Sequence, residues 1–241
     1  MKVAAWQAPL LPSGSMQALG LIGDRVRWCE TEGVDVLCCP EAVLGGLADD
    51  AERPADFAVA VESGQLATLL APLASASVMV IVGFTEIDGA GTLFNSAAVV
   101  HGGAVLGVYR KRHPAIRRSV YAAGDQSPIF THGPLTFGIM ICNDSNHPEL
   151  AADMAARGAR IIFTPSNNGL RPDRADVVAM TRAVDIARAR DNGVMIVRAD
   201  VAGRTAERVS FGSSAIVDVQ GRVLCAGEAF RDGVLVAETC L

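Results

Sequence analysis

Phe137-Gly138-Ile139-Met140-Ile141-Cys142 is an apolar run that ends in a thiol, and Asn143-Asp144-Ser145-Asn146-His147-Pro148-Glu149 follows it before an alanine-rich segment. A short apolar run bounded by turn-forming residues reads as a buried strand. The polar cluster reads as a helix start, with Pro148 in the first turn. Strand then helix places the chain in the α/β class, and it holds Cys142 at the mouth of a sheet. A helix N-terminus favours a thiolate, the reactive form of cysteine. Taken alone, Cys142 reads equally well as a small buried hydrophobe at a strand end.

Two other residues stand in similar settings. Val34-Asp-Val-Leu-Cys-Cys39 is a short apolar strand stopped by Pro40, with Glu41 directly after it. Ala104-Val-Leu-Gly-Val-Tyr109 is another, and it runs into Arg110-Lys111-Arg112-His113-Pro114. An acid, an amine and a thiol therefore each lie just past the C-terminal end of a predicted strand, where α/β proteins assemble their sites. Singly, Glu41 also reads as a solvated loop carboxylate and Lys111 as one member of a solvated basic cluster.

Together these segments resemble the three signatures of the nitrilase superfamily, the carbon–nitrogen hydrolases. The resemblance rests on Pro40-Glu41, on Tyr109-Arg-Lys111-Arg-His113-Pro114, and on Gly138-Ile-Met-Ile-Cys142-Asn-Asp144 followed by Pro148-Glu149. Order and spacing agree, with 70 positions from Glu41 to Lys111 and 31 from Lys111 to Cys142. Further matches span most of the chain: Val3-Ala-Ala-Trp-Gln7, Val82-Gly-Phe84-Thr-Glu86, Phe94-Asn95-Ser96, and the helix around Arg182 leading to Asp191-Asn192-Gly193.

Composition is compatible. The chain has 241 residues, 50% hydrophobic and 20% charged, enough for a sizeable core in one large α/β domain. A net charge of −5 gives no electrostatic footprint for nucleic acid. The first residues, Met-Lys-Val-Ala-Ala-Trp-Gln, enter a strand pattern without the sustained apolar core of a signal peptide. The apolar stretch Val78 to Phe84 is far short of the ~20 residues a membrane span needs. The expectation is a protein with neither nucleic-acid nor membrane partners. The six cysteines include no C-x-x-C pair and no histidine at ligand spacing, so no metal is expected and every cysteine but Cys142 is assigned to packing. Reduced thiols in turn suggest a cytoplasmic setting.

Along the chain, helical spacing of Met16, Leu19, Ile22, Val26 and Cys29 predicts a first helix, and Gln65 to Ala76 a second. A hairpin is expected from Phe94 to Val100 and Ala104 to Tyr109. Helix Glu149 to Arg157, strand Arg160 to Thr164 and a long helix from about Arg174 to Arg190 follow, the last capped at Asn192-Gly193. Strands at Val194 to Arg198, Ser214 to Val219 and Gly233 to Ala237 complete the pattern. No linker or repeat interrupts it, so residues 1–241 read as one domain. Two sheets are implied, and the resemblance implies that they form a four-layer α-β-β-α sandwich. It also implies a homodimer or higher homo-oligomer, for which the helix after Cys142 and that around Ala175 to Ala189 are the candidate surfaces. The apolar positions of those helices equally suit the inner face alone.

The resemblance implies a mechanism without a cofactor. Cys142 would attack a small linear amide to form a thioester, with Glu41 as general base and acid. Lys111 would stabilise the oxyanion with the backbone N–H of Asn143. N-carbamoyl hydrolysis, nitrile hydrolysis and a catalytically silent ligand-binding member are the alternatives. The Asn-Asp after Cys142 favours the amidase-type branches over true nitrilases, where a tryptophan and a glutamate are expected. His147 is a weaker candidate for the base, since the helix start would aim it away from the thiol; lining the pocket or capping suits it better. Many family members carry a second glutamate between the lysine and the cysteine. Here Ala115-Ile-Arg117-Arg118-Ser119-Val-Tyr121-Ala-Ala-Gly124 contains no acid, and arginine stands about where it would be. Arg117 and Arg118 are therefore candidate contacts for a substrate carboxylate, with surface ion pairing as their other reading. Asn167, in the polar loop Thr164 to Gly169, is a further candidate substrate contact.

Overall fold

The computed structural model describes residues 1–116, 118–169, 174–206 and 208–239. Fourteen strands are described: β1 Lys2–Pro9, β2 Val36–Cys38, β3 Met79–Ile87, β4 Leu93–His101, β5 Ala104–Arg110, β6 Phe130–His132, β7 Leu135–Ile139, β8 Ile161–Pro165, β9 Met195–Ala199, β10 Val201–Arg204, β11 Val209–Phe211, β12 Ala215–Val217, β13 Val223–Ala226 and β14 Gly233–Glu238. The α-helices are α1 Ala18–Glu32, α2 Gln65–Leu70, α3 Pro148–Ala156 and α4 Asp176–Asn192. One sheet has the order β11-β10-β1-β2-β3-β4-β5, with β14 also paired to β1; the other runs β13-β12-β9-β8-β7-β6. Parallel pairs β1–β2–β3 and β7–β8–β9 form the sheet centres; β10 extends the first in parallel beside β1, and the remaining pairings are antiparallel.

Side-chain alternation explains the layers. Val3, Ala5, Cys38, Ile81 and Val99 of the first sheet share one core with Phe137, Ile139, Phe163 and Val197 of the second. The intervening residues Ala4, Trp6, Leu37, Cys39, Val80 and Val82 form a separate core with Ile22, Val26 and Cys29 of α1 and with Leu66 and Leu70 of α2. A period of two therefore sends successive residues to opposite layers, and neighbouring Cys38 and Cys39 sit in different cores. On the far side, Leu150, Ala151 and Met154 of α3 and Ala189 of α4 join the core of the second sheet. The result is the expected four-layer α-β-β-α sandwich. The apolar side of α3 serves this inner face, whereas Met180 of α4 is 57% exposed.

Most predicted elements stand within a residue or two of their expected bounds. The second helix is shorter than expected, since Pro72 turns its end into the 3₁₀ segment Ala71–Leu73. Strands β6, β10, β11 and β13 were not expected; each is three or four residues long. Cys29, Cys38, Cys39, Cys142 and Cys225 are free thiols, and Cys240 lies outside the described residues. Among the described residues, no helix is long and apolar enough to cross a membrane.

One glycine fixes the position of the turn after β2. A Cβ on Gly83 of β3 would lie 2.3 Å from the carbonyl oxygen of Pro40 and 2.6 Å from the backbone nitrogen of Ala42. Gly83→Ala must therefore push the backbone that carries Glu41. We expect a loss of about 1–3 kcal/mol in urea unfolding, and a fall in catalytic rate beyond what the unfolded fraction accounts for. An unchanged urea midpoint would contradict this close approach.

Candidate active site

Glu41, Lys111 and Cys142 converge as the ends of β2, β5 and β7 predict. Glu41 and Lys111 are buried, and Lys111 Nζ donates to Glu41 Oε1 at 2.6 Å. Asn95 Nδ2 donates to the same oxygen at 2.8 Å, and the backbone N–H of Asn167 donates to Oε2 at 2.9 Å. The carboxylate thus has three donors, two of them from segments other than that of Lys111. Asn95, inside β4, also accepts the backbone N–H of Lys111 on its carbonyl at 2.8 Å, so it orders both members of the ion pair. Burial pulls the Lys111 ammonium down most strongly, but the Glu41 charge, its hydrogen bond to Glu41 and the nearby Cys142 and Asp144 together hold it above the usual lysine value.

Cys142 opens the 3₁₀ segment Cys142–Asn146, and α3 starts only at Pro148. Its φ is +47°, and that of Ala42, next to Glu41, is +46°. Left-handed non-glycine residues are strained and cluster at functional sites; two of the three among the described residues occupy the turns that present the thiol and the acid, the third being Phe230. The expectation of a stabilised thiolate does not hold for the resting site. Burial pushes the thiol up to about 12, the Glu41 charge adds to that rise, and Lys111 only partly opposes it. The residue as a whole is partly buried, with Sγ 3.8 Å from Asn168 Oδ1. As the second residue of a 3₁₀ turn, Asn143 has an N–H with no intrahelical acceptor.

The turn is fastened to the lysine segment by Asp144. Its carboxylate accepts the Tyr109 hydroxyl at 2.7 Å, the His113 N–H at 2.8 Å and the Ile141 N–H at 3.0 Å. The last contact makes it the helix-start residue its position suggests. The first two tie the nucleophile turn to β5.

Glu41, Asn95, Lys111 and Cys142 line a cavity of about 680 Å³. Leu47, Ile116, Val177 and Met180 give it apolar walls, and Asn143, Asn167 and Asn168 polar ones. Asn167 therefore reaches the cavity as expected and supports Glu41 through its backbone. His147 does not line it. Its ring stacks on His113 with centroids 3.5 Å apart, and its Nδ1 lies 3.5 Å from Glu149 Oε1. These two histidines and Glu149 bring ligand atoms within 4.8 Å of one another, but rings inclined by only 7° do not aim their lone pairs at one point. Arg118 is exposed and away from the cavity lining, because the segment turns Pro114, Ala115, Ile116 and Tyr121 toward it instead. Arg117 lies outside the described residues.

Other residues complete the site without having been expected there. An acid does reach the segment lacking the second glutamate, from an earlier loop: Asp49 accepts the Ser119 hydroxyl and the Val120 N–H, and it lines the cavity. Arg174 and Arg208 line the cavity in place of Arg118; Arg208 binds the Asp50 carboxylate and the carbonyl of Gly169. Asn168 faces the thiol and is itself held by Asp200 and Ser213. Arg198, inside β9, is fully buried and also lines the cavity. A charged residue within the apolar run Val194 to Ala199 was the signal that could have found it.

A two-sheet sandwich with a thiol, an acid and an amine at its strand ends defines a class of hydrolases, and comparison with known proteins agrees. The chain belongs to the carbon–nitrogen hydrolase family, whose model matches residues 2–241. It is 31% identical over 203 residues to an (R)-stereoselective amidase of Pseudomonas sp, covering 83% of this chain and 70% of that one. It is 30% identical over 217 residues to a nitrilase of Pyrococcus abyssi, covering 88% and 79%. Among solved structures, a carbon–nitrogen hydrolase from Helicobacter pylori G27 superposes with a TM-score of 0.87 at 21% identity, covering 98% of this chain and 88% of that one. The protein is thus a hydrolase of the nitrilase superfamily.

Proposed function

We propose that the protein is an amidase that cleaves small linear amides through a thioester on Cys142. The observation that carries this reading is the Glu41–Lys111 pair, buried and 2.6 Å apart, on the wall of the cavity that also holds Cys142. A resting thiol pushed up to about 12 must lose its proton as it attacks, so a base beside it is required. Glu41 takes that proton while Sγ bonds to the amide carbon. The carbonyl oxygen becomes an oxyanion, met by Lys111 and the Asn143 N–H. Collapse breaks the C–N bond, and Glu41 returns the proton to the departing ammonia or amine. Glu41 then deprotonates the water that cleaves the thioester, and the carboxylic acid leaves with the thiol restored. A cavity of about 680 Å³ suits a small-molecule substrate.

The (R)-stereoselective amidase relative supports amide over nitrile cleavage only as strongly as the Pyrococcus nitrilase supports the reverse. The Asn-Asp after Cys142 favours the amide. Rapid-quench mass measurement with panels of linear amides, N-carbamoyl compounds and nitriles tests this. An acyl adduct on the Cys142 peptide that forms and decays with amides, with release of ammonia or amine, is the expected result. Adducts with the carbamoyl compounds or nitriles alone would reassign the substrate, and none with any panel would leave the silent ligand-binding reading.

A further inference from the structure

Arg198 links three parts of the site through one buried guanidinium. Nε and Nη2 donate to the two carboxylate oxygens of Asp185 on α4, at 2.8 and 2.5 Å. Nη2 also donates to Ser145 Oγ at 3.1 Å, and that hydroxyl donates in turn to the carbonyl of Cys142 at 2.7 Å. Nη1 donates to Ser166 Oγ. The Ser166 carbonyl accepts the backbone N–H of Glu41 at 3.2 Å, and Asn167, whose N–H holds Glu41, is the next residue. A planar fork can hold two hydroxyls and a carboxylate in fixed directions at once, which a single ammonium cannot.

We propose that Arg198 is a positioning residue for the reaction: it braces the turn of Cys142 against the loop that holds Glu41 and supplies, with Lys111, a second positive charge toward the thiol. Asp185 is the buried counter-ion that keeps this charge in place. Both cations reach the thiol already paired, Lys111 with Glu41 and Arg198 with Asp185. Arg198 comes from the sheet that carries Cys142 and is linked to its turn through Ser145, whereas Lys111 comes from the other sheet. The charged groups that act on the thiol are Glu41 and Asp200, which disfavour its thiolate, and Lys111 and Arg198, which favour it. The proposal rests on Cys142 being the nucleophile, but its test includes a readout that needs no amide substrate, so the two readings fail separately.

The test compares the parent with Arg198→Lys and with the double variant Arg198→Met and Asp185→Leu, which removes both members of the buried pair rather than stranding one. Peptide-mapped alkylation of Cys142 by 4-vinylpyridine, which carries no amide, follows the thiolate. In the double variant we expect its rate to fall at least fivefold at every pH from 7 to 9, and amide kcat to fall at least tenfold with KM within threefold. Arg198→Lys keeps the charge, so alkylation should return to within twofold of the parent. It cannot hold both serines, so kcat should stay at least fivefold low. A residue needed only for the fold would lower the melting temperature without moving alkylation per folded molecule. A folded double variant with alkylation and kcat within twofold of the parent overturns the proposal. If the double variant does not fold, parent-like kcat in Arg198→Lys overturns it alone.

Discussion

Cys142→Ala is expected to lose at least about 10⁴-fold in kcat, in line with removal of a nucleophile that acts as one unit with its base, while urea unfolding shifts by no more than about 1 kcal/mol. The two effects separate because of where Sγ lies. Cys142 lines the cavity and is only partly buried, so removing its sulfur enlarges that cavity rather than opening a void in the core. The φ of +47° strains alanine as it strains cysteine, so that cost does not change. Cys38→Ala is the contrasting control. Its side chain is fully buried between the sheets, so stability should fall while kcat per folded molecule stays near the parent. Cys225→Ala, half-buried on β13, should likewise leave chemistry intact. Activity of Cys142→Ala within tenfold of the parent, with contamination excluded, would remove Cys142 from the nucleophile role.

The sheets were legible because β2, β5 and β7 are apolar runs stopped by Pro40, by Arg110-Lys111 and by Cys142-Asn143. Those stops also carry the reactive residues, so reading the strands located the site. Short outlying strands left no such trace: Val209–Phe211 and Phe130–His132 are too brief for periodicity, and Val201–Arg204 contains a glycine and an arginine. Which residues complete the site was harder to read, because that depends on pairing between distant segments. Asn95 reads as one polar residue in a hairpin, and only the register of β4 beside β5 places its amide on Glu41. Asp49 is one of several acids in an irregular loop, and it replaces nothing until that loop meets Ser119 and Val120. The state of the thiol was misjudged for a related reason. A helix start was expected to act on Cys142 directly, whereas the thiol lies in a 3₁₀ turn ahead of α3, where burial and Glu41 dominate.

Glu41→Gln is expected to lower kcat by about 10²–10⁴-fold, the usual contribution of a general acid–base group, and to cost stability as well. The carboxylate accepts on both oxygens: Lys111 and Asn95 meet Oε1, and the Asn167 N–H meets Oε2. A glutamine has one acceptor oxygen. If that oxygen faces Lys111, the amide N–H₂ faces the Asn167 N–H; if it is flipped, the N–H₂ faces the ammonium. Either way a donor meets a donor, and the buried Lys111 loses its counter-charge. Removing one partner of a buried pair typically costs about 3–5 kcal/mol; with its oxygen toward Lys111, Gln still accepts both Lys111 and Asn95, so the loss should fall below that range. Lys111→Ala strands the carboxylate instead and should reach it, with kcat near background. Lys111→Arg keeps a misplaced cation and should retain a trace of activity. The decisive comparison is with His147→Ala, which removes a ring stacked on His113 and away from the cavity lining. Measured side by side on the same amide, His147→Ala should keep kcat within a few-fold of the parent and Glu41→Gln should not. The reverse pattern would make His147 the base and leave the buried Glu41–Lys111 pair a structural one.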